Sequence, residues 1–377
     1  MKPYIFTYCF LLGVPGYAQE KPIDTSAFLD AAHHWYDIKD KTNTINPRPG
    51  RPAYRATETA AIADNILLYQ KTNGGWPKNY DMQAILSTEQ KDSLLRSKNE
   101  LHTTYDNGST YAQVAYLAKA YTRTKNEAYK TAVLKGLDFI TTSQYANGGW
   151  PQYYPLEKNY SRYITYNDDA YIGIMNLLKD IVDNTNDYRF IDEATRQKIQ
   201  ASYNRGIDCI LQTQMNDNGK PTAWCQQHDE VTLQPAWARK FEPPAICNGE
   251  SAGIVLFLMR IKQPSPAVKN AIRDAVAWFN ESKILNTKVQ VIDAPEMTTA
   301  FTVSKHDRIV VNSPGAPPIW TRYYELKTHR PMFCNRDSKV VYTLAEVDRE
   351  RRDGYGWYTY APQLVLDKYE KWKTINP

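Results

Sequence analysis

Cysteine is scarce in this chain. There are five among 377 residues, and one of them, Cys9, lies in the N-terminal apolar stretch. Cys209, Cys225, Cys247 and Cys334 do not fall at zinc-type spacings, and a chain this long needs no disulfide to fold; the four can pair or stay as buried thiols. Also missing are a run of basic residues and a glycine loop of the kind that cradles phosphate. With a net charge of only +5, nucleic-acid binding is not predicted. So mild an excess remains compatible with an acidic substrate, because local charge around a site outweighs the total. Long hydrophobic runs are absent too. The apolar stretch Tyr4 to Val14 is too short for a permanent membrane anchor. Preceded by Lys2 and followed by Gly16-Tyr17-Ala18, it predicts a secretory leader over 1–18, and with it export to the periplasm or the medium. Residues 19–377 are then one domain, expected to act as a monomer.

What is present repeats. Asn73-Gly74-Gly75-Trp76-Pro77 returns as Asn147-Gly148-Gly149-Trp150-Pro151, and each copy follows an apolar-periodic run ending in glutamine, Gln70 or Gln144. A weaker third copy is Gln214 followed by Asn218-Gly219-Lys220-Pro221. A period of this length holds two helices and a loop, which predicts a helical array with equivalent loops on one face. Helices are expected over 26–41, 57–69, 109–121, 127–142, 168–181, 192–214, 250–261, 266–279, 344–352 and 363–372. From Val289 to Tyr342 the β-branched and aromatic runs predict a small sheet or long loops.

After each copy comes an acid in a polar turn: Asp106 in Tyr105-Asp106-Asn107-Gly108, Asp168 and Asp169 in Tyr166-Asn167-Asp168-Asp169, and Glu250 in Cys247-Asn248-Gly249-Glu250. An acid before a helix ordinarily caps its free N–H groups. Three at homologous points of one repeat suggest a shared task, such as holding a hard cation through carboxylate oxygens. Near the C-terminus Asn335-Arg336-Asp337 and Glu350-Arg351-Arg352-Asp353 lie among Trp320, Tyr323, Tyr324, Trp357 and Tyr358. Guanidinium forks bind carboxylates and aromatic rings stack on sugar faces, so the combination suits an acidic sugar.

Seven ordered motifs then carry a resemblance: Gly74-Gly75-Trp76-Pro77-Lys78, Asp106-Asn107-Gly108, Gly148-Gly149-Trp150-Pro151-Gln152, Ile164-Thr165-Tyr166-Asn167-Asp168-Asp169, Trp224-Cys225-Gln226-Gln227-His228-Asp229, Glu250-Ser251-Ala252-Gly253 and Arg351-Arg352-Asp353-Gly354-Tyr355. Together, from about residue 25 to the C-terminus, they resemble the family 10 polysaccharide lyases, which are pectate lyases. The resemblance implies an (α/α)₃ toroid with long loops, a few short strands and a broad groove. It also implies Ca²⁺-dependent anti β-elimination on polygalacturonate. By the same resemblance Asp106 and Asp168 match the acids of the Ca²⁺ and substrate site, with Asp169 as the adjacent candidate ligand. An arginine base matches Arg351 or Arg352, Arg351 being preferred. Arg336 and Arg239 match contacts to substrate carboxylates, and Lys78, Asn107 and Asn167 are weaker candidates.

Two departures stand out. Tyr163 and Tyr166 replace the His and Phe usual in that family, and 279–331 is longer than usual, so that 286–317 is expected to reshape one end of the groove. Rival readings are a glycoside hydrolase built on the acids alone, a non-catalytic binder of acidic glycans, and a lyase for alginate or glycosaminoglycan. A purely structural helical array would leave the acid-plus-arginine set without a purpose.

Overall fold

The computed structural model describes residues 21–37, 43–48, 50–217, 219–300 and 302–377. The leader expected over 1–18 lies outside them. Eleven α-helices are formed by the described residues: α1 Leu29–Asp37, α2 Thr59–Tyr69, α3 Thr88–Arg96, α4 Tyr111–Thr124, α5 Glu127–Thr142, α6 Ala170–Val182, α7 Glu193–Thr213, α8 Asn248–Leu258, α9 Pro266–Ser282, α10 Arg349–Gly354 and α11 Ala361–Ile375. No described helix is long and apolar enough to cross a membrane. The helix expected over 250–261 starts two residues earlier. That expected over 344–352 is a short 3₁₀ turn, Leu344–Glu346, followed by α10. Helix α3 has no counterpart among the expected helices: its nine residues are mostly polar, and a capping box between the preceding Ser87 and Gln90 starts it in place of a long apolar stripe.

Three helical hairpins, α4/α5, α6/α7 and α8/α9, follow one another round a ring. Consecutive first helices pack together, as do consecutive second helices, and α2 and α11 complete the two ends. The fold is the mainly helical toroid expected. Helices α4, α6, α8 and α11 line a central cavity of about 1120 Å³.

The repeated phrase explains how the ring is latched. Gln70 Nε2 donates to the carbonyls of Gly74 and of Ala132 in α5, both at 2.9 Å. Gln144 repeats this with Gly148 and Ser202 in α7 at 3.0 Å, and Gln214 with Thr222 and Ala271 in α9 at 3.0 Å. Each tryptophan then turns back to the helix just left. Trp76, Trp150 and Trp224 donate at 2.8 Å to the carbonyls of Ile66, Ile140 and Ile210. Trp320 makes a fourth such bond, to Phe279 at 2.9 Å. All four indoles are buried, so each N–H needs this acceptor.

The glycines are fixed by close approach. Gly148 has φ near +90°, and a Cβ there would sit 1.9 Å from the carbonyl oxygen of Arg205. Strain and clash together predict that Gly148→Ala loses about 3 kcal/mol or more of stability, measured as a shift of the urea midpoint. An unchanged midpoint would overturn this account of the loop.

Between α9 and α11 the chain builds the β-structure expected in outline. Strands Thr287–Thr298 and Val303–Asn312 form one long antiparallel hairpin. Beyond it a four-stranded antiparallel sheet runs in the order 340–341, 331–334, 323–324, 246–247. This small sheet joins segments distant in sequence. Its strand 246–247 leads into α8 and Glu250, its strand 323–324 starts just after Arg322, and its strand 331–334 ends just before Arg336. A second hydrophobic cluster, including Tyr323, Met332, Phe333, Val347 and Trp357, packs it in place. Cys209, Cys225, Cys247 and Cys334 are all buried and free.

Candidate active site

Two short 3₁₀ turns, Asp106–Gly108 and Asn167–Asp169, occupy equivalent places before α4 and α6 and pack against each other. Asn107 (φ 49°), Asp168 (φ 51°) and Asp169 (φ 55°) are left-handed, a conformation Asn and Asp tolerate better than most residues. With these residues turned, the carboxylates of Asp106, Asp168 and Asp169 stay off the helices that follow. None makes a cap hydrogen bond, whereas Asp192 before α7 accepts from Thr195 N at 2.8 Å. The ordinary capping reading therefore holds for Asp192 and fails for Asp106, Asp168 and Asp169. Glu250 lies inside the first turn of α8.

The carboxyls of Asp106 and Asp168 are near enough for each to act on the other's ionisation. Asp106 is 3% exposed. Burial opposes its ionisation, but the Lys78 ammonium bonded to its Oδ2 prevails and holds it below the usual carboxylate range. The same pairing raises Lys78 against the effect of its own burial. Asp168 is open to the groove but enclosed on its other sides. That enclosure, and next the charge of Asp106, raise its carboxyl well above the ordinary value, with Arg322 and Arg239 opposing. Asp169 lines the same space as Asp168; burial, Glu250 and Asp30 raise it.

Asn167 ties this pair to the sheet. Its Nδ2 donates to Asp168 at 2.6 Å, and its Oδ1 accepts from Arg322 at 2.7 Å. Arg322 also donates to Glu250 at 3.0 Å. Arg322 was missed in the sequence, where Thr321-Arg322-Tyr323 carries no neighbouring acid to mark it. Asn107 donates to Asn79 at 2.9 Å.

Opposite stand the arginines. Arg239 pairs with Glu242 through Nε at 2.8 Å and Nη2 at 2.5 Å, and Arg336 pairs with Glu350 through Nε at 2.6 Å and Nη2 at 2.7 Å. Arg352 is held by both oxygens of Asp307, at 2.7 and 2.6 Å, and donates to the Val347 carbonyl at 2.6 Å. Arg351 differs from all three. It is 4% exposed, its Nε and Nη2 have no hydrogen-bond partner, and its guanidinium lies 4.0 Å from the Tyr355 ring centre and 4.3 Å from that of Phe241. Burial lowers its pKa, with the charge of Arg336 adding to the effect against Tyr355. The Tyr355 hydroxyl, pushed up to about 12 chiefly by burial, bonds to Tyr323 at 2.8 Å and Glu242 at 3.1 Å.

Arg239, Arg336 and Arg351 thus gather round the Phe241 ring, and Arg239 is near enough to Asp168 for its charge to act on that carboxyl. Residues 70–366 match the protein family described as pectic acid lyase. The chain belongs to that family. This pectic acid lyase is also similar to two solved structures of a Family 10 polysaccharide lyase from Cellvibrio cellulosa, one of them an aspartate-to-alanine mutant in complex with trigalacturonic acid. For each, identity is 30%, coverage 83% of this chain and 92% of the other, and the TM-score 0.70. No curated protein matches. The lyase is therefore an enzyme of polysaccharide breakdown, and its helical ring is the fold of those relatives.

Among the described residues no cluster of three or more His, Cys, Asp and Glu side chains is close enough to hold a metal. Two convergent carboxylates are nonetheless a hard-oxygen donor set, and Asp106 Oδ1 is buried with no partner in the protein. They would suit a Ca²⁺ ion only with further ligands from outside the protein.

Proposed function

We propose that this lyase cleaves α-1,4-linked polygalacturonate by Ca²⁺-assisted anti β-elimination, with Arg351 as the Brønsted base. The observation that carries the reading is Arg351 itself: a buried guanidinium with no carboxylate partner, gathered with Arg239 and Arg336 round the Phe241 ring. Arg352, fully engaged by Asp307, is poorly placed for the same task.

In this reading Arg239 and Arg336 bind uronate carboxylates, and Glu242 and Glu350 hold their forks in plane beforehand. Asp106 and Asp168 would hold the Ca²⁺. Lys78 keeps Asp106 ionised, while Asn167 orients Asp168. The chemistry supplied by bound Ca²⁺ is neutralisation of a substrate carboxylate as negative charge spreads into it. Arg351 takes the proton from C5, and the electron pair of that C–H bond becomes the C4=C5 double bond. The C4–O bond breaks on the opposite face, and its oxygen leaves with the bonding pair. Once protonated, that oxygen is the new reducing end, so the other product is a 4,5-unsaturated oligogalacturonide. An arginine base is demanding, since an ordinary guanidinium keeps its proton above about pH 12. Burial in the aromatic cage and the neighbouring Arg336 both relieve this.

We read the enzyme as exported, on the strength of its leader-like 1–18, and as a single catalytic domain acting as a monomer. The test is ultraviolet absorbance with polygalacturonate at alkaline pH. A rise with Ca²⁺ that a chelator abolishes is the expected result, because the new double bond is conjugated to the carboxylate. Reducing ends without absorbance would reject elimination.

A further inference from the structure

Helix α10 carries Arg351 but is only six residues long, and Asp348 at its start makes no side-chain cap. A helix so short is not stable by itself, so contacts from outside must fix it. One side is held by the site: Glu350 by Arg336, and the Asp348 amide by Asn335 Oδ1 at 2.8 Å. The other side is held by the long hairpin. Its strand Val303–Asn312 offers Asp307, which grips Arg352 with both oxygens. The His306 carbonyl accepts from Arg349 at 3.0 and 3.2 Å. Ser304 donates to the Asp353 carboxylate, and Arg308 faces that group at 3.6 Å. The residues bonded to the hairpin, Arg349, Arg352 and Asp353, thus bracket Arg351.

We propose that Asp307 is a positioning residue for the elimination: by fixing Arg352, the hairpin sets the angle at which Arg351 enters the groove. This inference rests on Arg351 being the base. It assigns the lengthened segment 286–317 a task in orienting the base, where the sequence pointed to a reshaped end of the groove. The Asp307–Arg352 pair is mostly buried, with 15% and 17% of the side chains exposed, so it can act as a fixed joint. The outer end of the hairpin, past the Met297–Ser304 pairing, makes none of these bonds.

The test measures kcat and KM on polygalacturonate for four variants of the full chain, with thermal melting for each. Asp307→Ala should lose about tenfold to a hundredfold in kcat, as a displacement near 1 Å does, with KM within about twofold of the parent. Asp307→Glu, which keeps the carboxylate, should recover most of the loss. Replacing 298–303 by Asn-Gly, which trims only the tip, should change neither constant. Arg351→Ala is run alongside. If it abolishes turnover while Asp307→Ala leaves kcat intact, the inference fails and the base assignment stands. If Arg351→Ala keeps full turnover, the base assignment fails first. A loss in Asp307→Ala expressed through KM, or one that Asp307→Glu does not relieve, also overturns the inference. Should Asp307→Ala not fold, Asp353→Ala decides: it releases Ser304 and should lower kcat alone, and an unchanged kcat would overturn the inference.

Discussion

Arg351→Ala is expected to lower kcat about a thousandfold while leaving KM nearly unchanged, because the side chain acts on a proton and not on a substrate carboxylate. The pH dependence carries the sign of the argument. Arg351 serves as a base only when neutral. Burial and Arg336 move its titration to lower pH than that of an ordinary arginine, so the neutral fraction at any given pH is larger. Turnover of the parent should therefore rise with pH on the alkaline side, by up to about tenfold per pH unit while the group is mostly protonated. In Arg351→Ala that limb should flatten, and added guanidine or a small amine should restore part of the rate. Turnover within tenfold of the parent, with the alkaline limb intact, would remove Arg351 from the chemistry.

Asp106→Asn is expected to have the second largest effect, chiefly through cation binding. The change deletes one of two carboxylates and leaves the buried Lys78 ammonium without its counter-charge. Ca²⁺ affinity should fall about a hundredfold or more, read by titration calorimetry without substrate. Folding should be weakened as well, which a melting curve separates from binding. The parent carries a further signature. Its raised Asp168 carboxyl holds a proton to higher pH than a free aspartate, and a bound cation must displace that proton. Affinity should thus rise with pH, with proton release seen as a heat that depends on the buffer. Equal Ca²⁺ affinity in the parent and Asp106→Asn would dissolve the acid pair as the cation site.

How much of this was legible in the chain depended on whether the signal was local. Asn-Gly-Gly-Trp-Pro spells out a complete turn, so two latches were readable, and the third was faintly so. The fourth was not, since the long hairpin places Trp320 far from Phe279. Asp106 and Asp168 stood out because each sits in its own repeat. Their escape from capping goes with left-handed dihedrals at Asn107, Asp168 and Asp169, which residue type permits but does not dictate. Glu250 was read as their third equivalent, yet it belongs to Arg322, an arginine isolated in sequence and brought in by the sheet. Arg351 and Arg352 are adjacent and identical in type. What separates them is Asp307, more than forty residues away. Ion pairs of this kind form only once the chain has closed on itself.

The four free thiols offer a different use. Cys209 lies in α7 of the ring, Cys225 and Cys247 flank the junction of ring and sheet, and Cys334 lies in the strand that leads to Arg336. Because all are buried and none is cross-linked, a thiol reagent can reach each only when its surroundings open. Labelling rates at Cys209 and Cys334 would time separately the breathing of the scaffold and of the arginine-bearing sheet, with no probe added to the enzyme.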